Sequence, residues 1–124
     1  MPESNTNFIR TLIVDDEIDI CFLLSGILKR RNIATSYVNN LTDARTALEK
    51  QSPDILFLDN YLPDGLGIDF IPFVKQACPG TKVVVITAHD NMKEREKAMA
   101  EGASEFIGKP FTVESIHQTL EKLI

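Results

Sequence analysis

Residues 56–67 read LFLDNYLPDGLG, an apolar run that ends on one carboxylate, Asp59, and continues into a loop of proline and glycine. A continuous apolar run of this kind is typical of a strand covered on both faces, as in the centre of a parallel sheet. A carboxylate at the end of such a strand needs a reason, because burying an unpaired charge costs free energy. The stretch therefore predicts a central parallel strand with a polar site at its carboxyl end.

Apolar runs alternate with amphipathic stretches along the whole chain, which is the pattern of βα units. Strands are predicted at TLIV (11–14), IATSYV (33–38), DILFLD (54–59), KVVVIT (82–87) and SEFIG (104–108). Helices are predicted over 17–31, from the N-cap Asn40 to before Pro53, over 68–77, over 91–101 with Gly102 at its end, and after the N-cap Thr112. We therefore expect an α/β fold, a flavodoxin-like doubly wound three-layer sandwich. Its five parallel strands are expected in the order 2-1-3-4-5, with five helices.

The size and composition of the chain indicate one globular domain. Its 124 residues are 44% apolar and 25% charged, so residues 1–124 are treated as one domain in which residues 1–7 are expected to be flexible. No run approaches the roughly 20 apolar residues of a membrane span. The polar N-terminus lacks the pattern of a secretory signal, so a cytoplasmic location is expected.

The charged residues and the cysteines exclude several kinds of site. The net charge of −5 argues against a nucleic-acid surface, which needs clustered Lys and Arg. The basic cluster Lys29–Arg31 ends a predicted helix, where positive charge complements the helix dipole. Cys21 and Cys78 lack metal or redox spacing, and we interpret them as small core residues.

Polar side chains collect at the predicted strand ends. The first strand is followed by Asp15 and Asp16, the third ends on Asp59, the fourth ends on Thr87, and the fifth is followed by Lys109. In open α/β sheets, ligands bind beyond the carboxyl ends of the strands, where the winding reverses. In the expected strand order this point lies between the first and third strands, so the three aspartates should converge there.

Three converging carboxylates repel one another, which implies a divalent cation between them. Mg2+ suits the oxygen ligands, whereas Ca2+ would need more of them and Zn2+ prefers histidine and cysteine. A lysine and a hydroxyl beside such an ion point to a phosphoryl group as the guest. Asp59 can then be the nucleophile, since carboxylates form covalent phosphoryl intermediates.

Five motifs in chain order together resemble the receiver domain of two-component response regulators, the CheY-like superfamily, over essentially the whole chain. They are Asp15-Asp16, Asp59 with the following NYLPDGLG, Thr87-Ala88, Lys109, and Pro110-Phe111 after it. The resemblance implies that Asp59 accepts a phosphoryl group from a histidine kinase or a phosphotransfer protein. It also implies Mg2+ bound directly by Asp16, through a water by Asp15, and by Asp59 and the backbone carbonyl of Tyr61.

The resemblance also implies a conformational switch. Lys109 is expected to contact the phosphoryl oxygens and to precede Pro110 in a cis peptide bond. Thr87 is expected to turn towards the phosphoryl group, and Phe106 to rotate into the vacated space. This movement would remodel the face made by the fourth helix, fifth strand and fifth helix. Phe106 lacks the hydroxyl of relatives with tyrosine, and an ordinary core aromatic is the alternative interpretation.

Three residues near the phosphoacceptor are expected to modulate access to it. Ala88 is small and leaves room at Asp59. Tyr61 and His89 lie two residues beyond Asp59 and Thr87, where relatives border the path of the attacking water. We hypothesise that these two large side chains slow hydrolysis of the acyl phosphate.

Three alternative functions remain beside a phosphorylation-dependent switch. A haloacid-dehalogenase-type phosphohydrolase also uses an aspartyl phosphate, but its nucleophile follows the first strand, where this chain has VDDE, and it normally carries a cap domain. A phosphorylation-independent interaction module usually lacks one of the acids or the lysine. A flavin or nucleotide binder would need a glycine-rich loop after the first strand.

The expected protein is therefore a phosphoacceptor that assists its own reaction and is not a conventional enzyme. Its expected partners are the kinase and a downstream protein or fused output domain, without nucleic-acid or membrane contact by this domain. A dimer through the fourth helix, fifth strand and fifth helix is a further expectation. The chain can act alone or as part of a longer regulator.

Overall fold

The computed structural model describes residues 9–124, so the flexibility expected for residues 1–7 lies outside the described residues. The strands are β1 (Arg10–Val14), β2 (Ala34–Val38), β3 (Ile55–Asp59), β4 (Tyr61–Leu62), β5 (Gly65–Leu66), β6 (Lys82–Thr87) and β7 (Glu105–Gly108). The helices are α1 (Ile18–Lys29), α2 (Leu41–Lys50), α3 (Gly67–Ala77), α4 (Met92–Glu101) and α5 (Val113–Leu123).

Five of the strands form one parallel sheet in the order β2-β1-β3-β6-β7. Counted along the chain without the short pair β4 and β5, this is the order 2-1-3-4-5, so the predicted flavodoxin-like fold is confirmed. The central strand is β3, and all of its residues are buried. Its continuous apolar character therefore reflects helices on both faces of the sheet.

The two faces of the sheet carry two separate apolar clusters. Leu56 and Leu58 of β3 belong to the cluster that includes residues of α2, α3 and α4. Ile55 and Phe57 belong to the cluster that includes residues of α1 and α5. Because successive side chains of a strand point to opposite faces, one apolar strand supplies both clusters and makes a three-layer sandwich. Cys78 lies in the first cluster and Cys21 in the second, both as free thiols, as predicted.

Local hydrogen bonds define the helix ends. The side chain of Asn40 accepts from the N–H of Asp43 at 2.7 Å, and that of Thr112 accepts from the N–H of Ser115 at 3.0 Å. Both residues were predicted as N-caps. Gly102 ends α4 with a left-handed φ of 113°, a conformation that glycine adopts without strain.

The loop after β3 contains a short hairpin that the sequence analysis did not predict. Tyr61 pairs with Leu66 and Leu62 with Gly65 in the antiparallel pair β4–β5. The side chain of Asp64 accepts from the backbone N–H groups of Leu41 and Thr42 at 2.8 and 2.9 Å. The hairpin is therefore tied to the first turn of α2, a contact that no local pattern indicates.

Within the described part of the chain, no helix has both the length and the apolar character needed to cross a bilayer.

Candidate functional site

Lys109 lies at the centre of the acidic site and joins three acids. Its Nζ is 2.9 Å from Asp15 Oδ2, 3.2 Å from Glu17 Oε2 and 3.7 Å from Asp59 Oδ2. Asp15 follows β1, Asp59 ends β3, and Lys109 follows β7. Parallel strands bring their carboxyl ends to one edge of the sheet, so residues far apart in sequence meet there.

Burial changes the ionisation of this group. Burial, and then the charge of Asp15, raises the pKa of Asp59 from 3.8 to about 6, although Lys109 opposes the change. Burial also raises the pKa of Asp15, against the Glu17 N–H bond and Lys109, which lower it. Burial alone would lower the pKa of Lys109, but its bond to Asp15 and the charge of Asp59 raise it overall. Lys109 therefore stays protonated, and its one positive charge lies close to both buried acids, Asp15 and Asp59.

Backbone contacts fix Asp15 in place. Its N–H donates to the carbonyl of Val38 at 3.1 Å, and its carbonyl accepts from Asn39 Nδ2 at 2.8 Å. Its Oδ1 accepts from the N–H of Glu17 at 2.9 Å. The second oxygen, Oδ2, is the one that faces Lys109.

The N-terminus of α3 fixes the chain just after Asp59. Asn60 is buried, its carbonyl accepts from the N–H of Gly67 at 2.8 Å, and its Oδ1 accepts from the N–H of Ile68 at 2.9 Å. A Cβ on Gly67 would overlap the carbonyl oxygen of Asp59. The glycine therefore allows the helix to start directly against the end of β3.

Thr87 is fully buried at the end of β6. Its Oγ1 accepts from the N–H of His89 at 3.1 Å, and its carbonyl accepts from the N–H of Lys109 at 2.7 Å. The peptide bond between Lys109 and Pro110 is cis. These contacts place the threonine hydroxyl on the strand that neighbours β3, at the same edge as Asp59.

The rings of Tyr61 and His89 meet across the loops that follow β3 and β6, with their centroids 4.2 Å apart. The Tyr61 hydroxyl donates to Glu94 Oε2 at 2.6 Å. Ala88, between Thr87 and His89, is exposed. The aromatic pair therefore lies beside the end of β3, where the sequence predicted residues that control access.

Phe106 is buried in the apolar cluster that contains Val83 and Val85. The guanidinium carbon of Arg95 lies 4.7 Å from the centroid of its ring. The structure thus holds Phe106 in an inward, packed position, and a cation–π contact links it to α4.

The acidic group fits a hard divalent cation. One carboxylate oxygen from each of Asp15, Asp16 and Glu17 lies within 4.8 Å of the others. The donors are oxygens, as Mg2+ prefers, and the buried acids lack full charge compensation from Lys109. Asp59 stands outside this trio but shares Lys109 with Asp15.

The sequence prediction missed three residues that shape the site: Glu17, Asn60 and Glu94. Glu17 and Asn60 directly follow predicted site acids, which is a signal that could have identified them. Glu94 is part of the predicted fourth helix, and nothing in its neighbourhood indicates a contact with Tyr61. Asp90, in the loop before α4, pairs with Arg95 at 3.0 Å.

Comparisons with known proteins agree with this architecture. Residues 11–121 match the family described as the response regulator receiver domain. The response regulator protein PilR of Pseudomonas aeruginosa is 38% identical over 101 residues, which are 82% of this chain and 23% of PilR. The chain spans between about a quarter and a half of the curated relatives it matches.

Two solved structures resemble the fold closely. The beryllofluoride-activated NtrC4 receiver domain dimer has a TM-score of 0.88 and 36% identity, over 92% of this chain and 94% of that one. A response regulator from Burkholderia pseudomallei has a TM-score of 0.85 and 24% identity, over 94% of this chain and 66% of that one. The latter is described with a phosphorylated aspartic acid, a calcium ion and citrate.

Proposed function

The chain belongs to the response regulator receiver domain family, and from this premise we propose that it is a phosphorylation-dependent signalling switch. Asp59 accepts a phosphoryl group from the phosphohistidine of a histidine kinase or a phosphotransfer protein. The observation that carries the proposal is the convergence of the buried acids Asp15 and Asp59 on the amine of Lys109.

The chemistry follows from the positions of these groups. A carboxylate oxygen of Asp59 forms a bond to phosphorus as the bond from phosphorus to the donor imidazole breaks, and its electron pair leaves with the imidazole. Lys109 contacts the phosphoryl oxygens and balances their charge. Asp15, Asp16, Asp59 and the backbone carbonyl of Tyr61 would hold Mg2+, which when bound supplies further charge neutralisation.

The output is a changed surface. Phosphorylation adds a charge of about −1.5 to −2 and three acceptor oxygens at the end of β3. Thr87 donates its hydroxyl to the new oxygens, and Phe106 responds by moving between inward and outward positions. The face of α4, β7 and α5 then binds a downstream protein or a fused output domain, or a second copy of the chain. The description of the NtrC4 receiver domain as a dimer supports the last possibility.

The test is direct labelling with Mg2+ and a small acyl phosphodonor, followed by mass spectrometry of the peptides. One phosphoryl group on Asp59 is expected, with loss of labelling in Asp59→Asn and retention in Asp64→Asn, an exposed acid of the same loop. Steady turnover of small phosphate esters would favour the haloacid-dehalogenase alternative. An unlabelled Asp59 would leave an interaction module that works without phosphorylation.

Tyr61 and His89 are proposed to lengthen the life of the acyl phosphate, because their rings pack together, tilted by 46°, beside the end of β3. Tyr61→Ala and His89→Ala should both hydrolyse the labelled form faster than the unchanged protein. His117→Ala, which changes a histidine on α5, is the control. Equal lifetimes in all four proteins would contradict this role.

A further inference from the structure

Glu94, in the first turn of α4, contacts both residues that follow Asp59. Its Oε2 accepts from the Tyr61 hydroxyl at 2.6 Å, and its Oε1 accepts from Asn60 Nδ2 at 3.2 Å. The two bonds span 33 and 34 positions of sequence. Each carboxylate oxygen therefore ties α4 to the chain at the phosphoacceptor.

The partners of Glu94 are themselves held in place. Asn60 is buried and bonded to the N-terminus of α3 through its carbonyl and its side-chain oxygen. Tyr61 belongs to β4, and its ring packs against that of His89 in a tilted arrangement. A carboxylate that bonds to two fixed donors positions its own helix turn relative to them.

Helix capping alone does not account for this arrangement. The N-cap Asn91 accepts from the N–H of Glu94 at 2.9 Å, and its Nδ2 approaches Glu94 Oε2 at 3.4 Å. These local bonds explain why α4 begins here. They do not require the shorter bond from Tyr61 to Glu94, because the helix could begin at this position without it.

The next residue, Arg95, connects the same helix turn to Phe106 of β7. Its guanidinium lies over the ring of Phe106 and pairs with Asp90 at 3.0 Å. Asp90 packs so closely on Gly108 that a Cβ there would approach its Oδ2 to 2.6 Å. Consecutive residues of α4 thus touch the chain after Asp59 on one side and the aromatic of β7 on the other.

We propose that Glu94 is a positioning residue that couples the state of Asp59 to the first turn of α4 and, through Arg95, to Phe106. This inference rests on the proposed function. Negative charge added to Asp59 competes with Glu94 for the donors on residues 60 and 61 and repels its carboxylate, so the turn is released or shifted. The coupling is reciprocal, so whatever fixes this turn also biases modification of Asp59.

The experiment compares the protein with and without Mg2+ and beryllofluoride, a stable stand-in for the phosphoryl group. Amide hydrogen exchange of residues 95–98 reports on the turn, where the Arg95 N–H donates to the Asn91 carbonyl. Native mass spectrometry measures the fraction of protein that has bound beryllofluoride, so that the variants are compared at equal occupancy. The variants are Glu94→Ala, Glu94→Gln and Tyr61→Phe, with Glu96→Ala as a control for an exposed acid on the same helix.

Loading should change the exchange rate of this turn about tenfold in the unchanged protein and in Glu96→Ala, which is within the range of allosteric couplings. Glu94→Ala should lose most of this response, and combining it with Tyr61→Phe should add nothing, because Glu94→Ala already removes the contact that Tyr61→Phe removes. Glu94→Gln should keep part of the response, since its amide has one acceptor oxygen instead of two. A full response in Glu94→Ala would overturn the inference.

The result separates this inference from the proposed function. If the unchanged protein binds neither beryllofluoride nor a phosphoryl group at Asp59, both the proposed function and the inference are contradicted. If Asp59 is modified but the turn responds equally with and without the Glu94 carboxylate, only the inference fails.

Discussion

Asp59 is the residue at which stability and function conflict. It is 4% exposed, lies beside a second buried acid, and shares one lysine with it. Burial of a carboxylate without full compensation opposes folding, and the raised pKa of Asp59 expresses that cost. The proposed phosphoryl transfer requires a nucleophile at this position, which an apolar residue would not supply.

The first prediction concerns Asp59→Asn in the absence of metal. The pKa of Asp59 is about 6 in the folded protein against an ordinary 3.8, so its ionised form is less favourable in the folded state. The cost is fully present above pH 6 and disappears as the pH falls below the ordinary value. Asp59→Asn should therefore raise the free energy of unfolding at pH 8 by on the order of 2 kcal/mol, and by little at pH 4. Chemical denaturation with a chelator measures it, and an equal effect at both pH values would contradict the argument.

The second prediction concerns Thr11, a buried residue of β1 whose hydroxyl has no hydrogen-bond partner within residues 9–124. Thr11→Val keeps the shape and removes the unpaired group, so it should stabilise the protein by about 1 kcal/mol. Thr81 is the matched control, because its buried hydroxyl donates to the carbonyl of Pro53 at 2.6 Å. Thr81→Val should destabilise, and thermal unfolding of both variants tests the difference in sign.

At the scale of elements, helix starts decide where the site residues lie. The helix α3 begins directly against the end of β3, and α4 begins where Glu94 reaches residues 60 and 61. The hairpin β4–β5 fills the loop between β3 and α3 and is joined to α2 by Asp64. The elements around Asp59 are therefore connected to one another by side chains as well as through the sheet.

The third prediction concerns the glycine at the start of α3. Gly67→Ala places a Cβ against the backbone carbonyl of Asp59, which cannot move without disturbing β3, so a loss of about 2 kcal/mol or more is expected. Gly26 in α1 is the control, since an added Cβ there meets nothing within 4 Å. Gly26→Ala should stabilise by about 0.5–1 kcal/mol through helix propensity. Denaturant unfolding measures both, and a neutral Gly67→Ala would show that the close contact is not rigid.

At the scale of the whole molecule, the parallel sheet gathers acids from separate regions of the chain. The strand order β2-β1-β3-β6-β7 places the ends of β1 and β3 side by side. These acids repel one another, so positive charge placed between them is stabilising. Lys109 supplies one such charge.

The fourth prediction is that Mg2+ stabilises the whole fold. At a concentration one hundred times the dissociation constant, the stabilisation is about 2.7 kcal/mol. Asp16→Asn should lose most of the rise in melting temperature, whereas Glu49→Gln, which changes an exposed acid of α2, should keep it. A melting temperature that does not respond to Mg2+ in the unchanged protein would contradict the proposed metal site.

The sequence alone determined the architecture and the order of the site residues. The apolar run of β3, the caps Asn40 and Thr112 and the stop at Gly102 are local signals, because periodicity and capping depend on neighbouring residues. Strand ends in a parallel sheet meet at one edge, so Asp15, Asp59 and Lys109 could be placed together once the strands were recognised.

Only the tertiary structure decided which atoms meet. The contacts of Glu17 with Lys109 and of Glu94 with Tyr61 join residues 92 and 33 positions apart, and the hairpin and its link through Asp64 to α2 depend on how two elements pack. Such contacts leave no trace in local periodicity, because side chains at that separation meet only after the sheet and helices have assembled. The proximity of Asp15, Asp59 and Lys109 was therefore predictable from the strand ends, while the contacts between this site and α4 required the folded molecule.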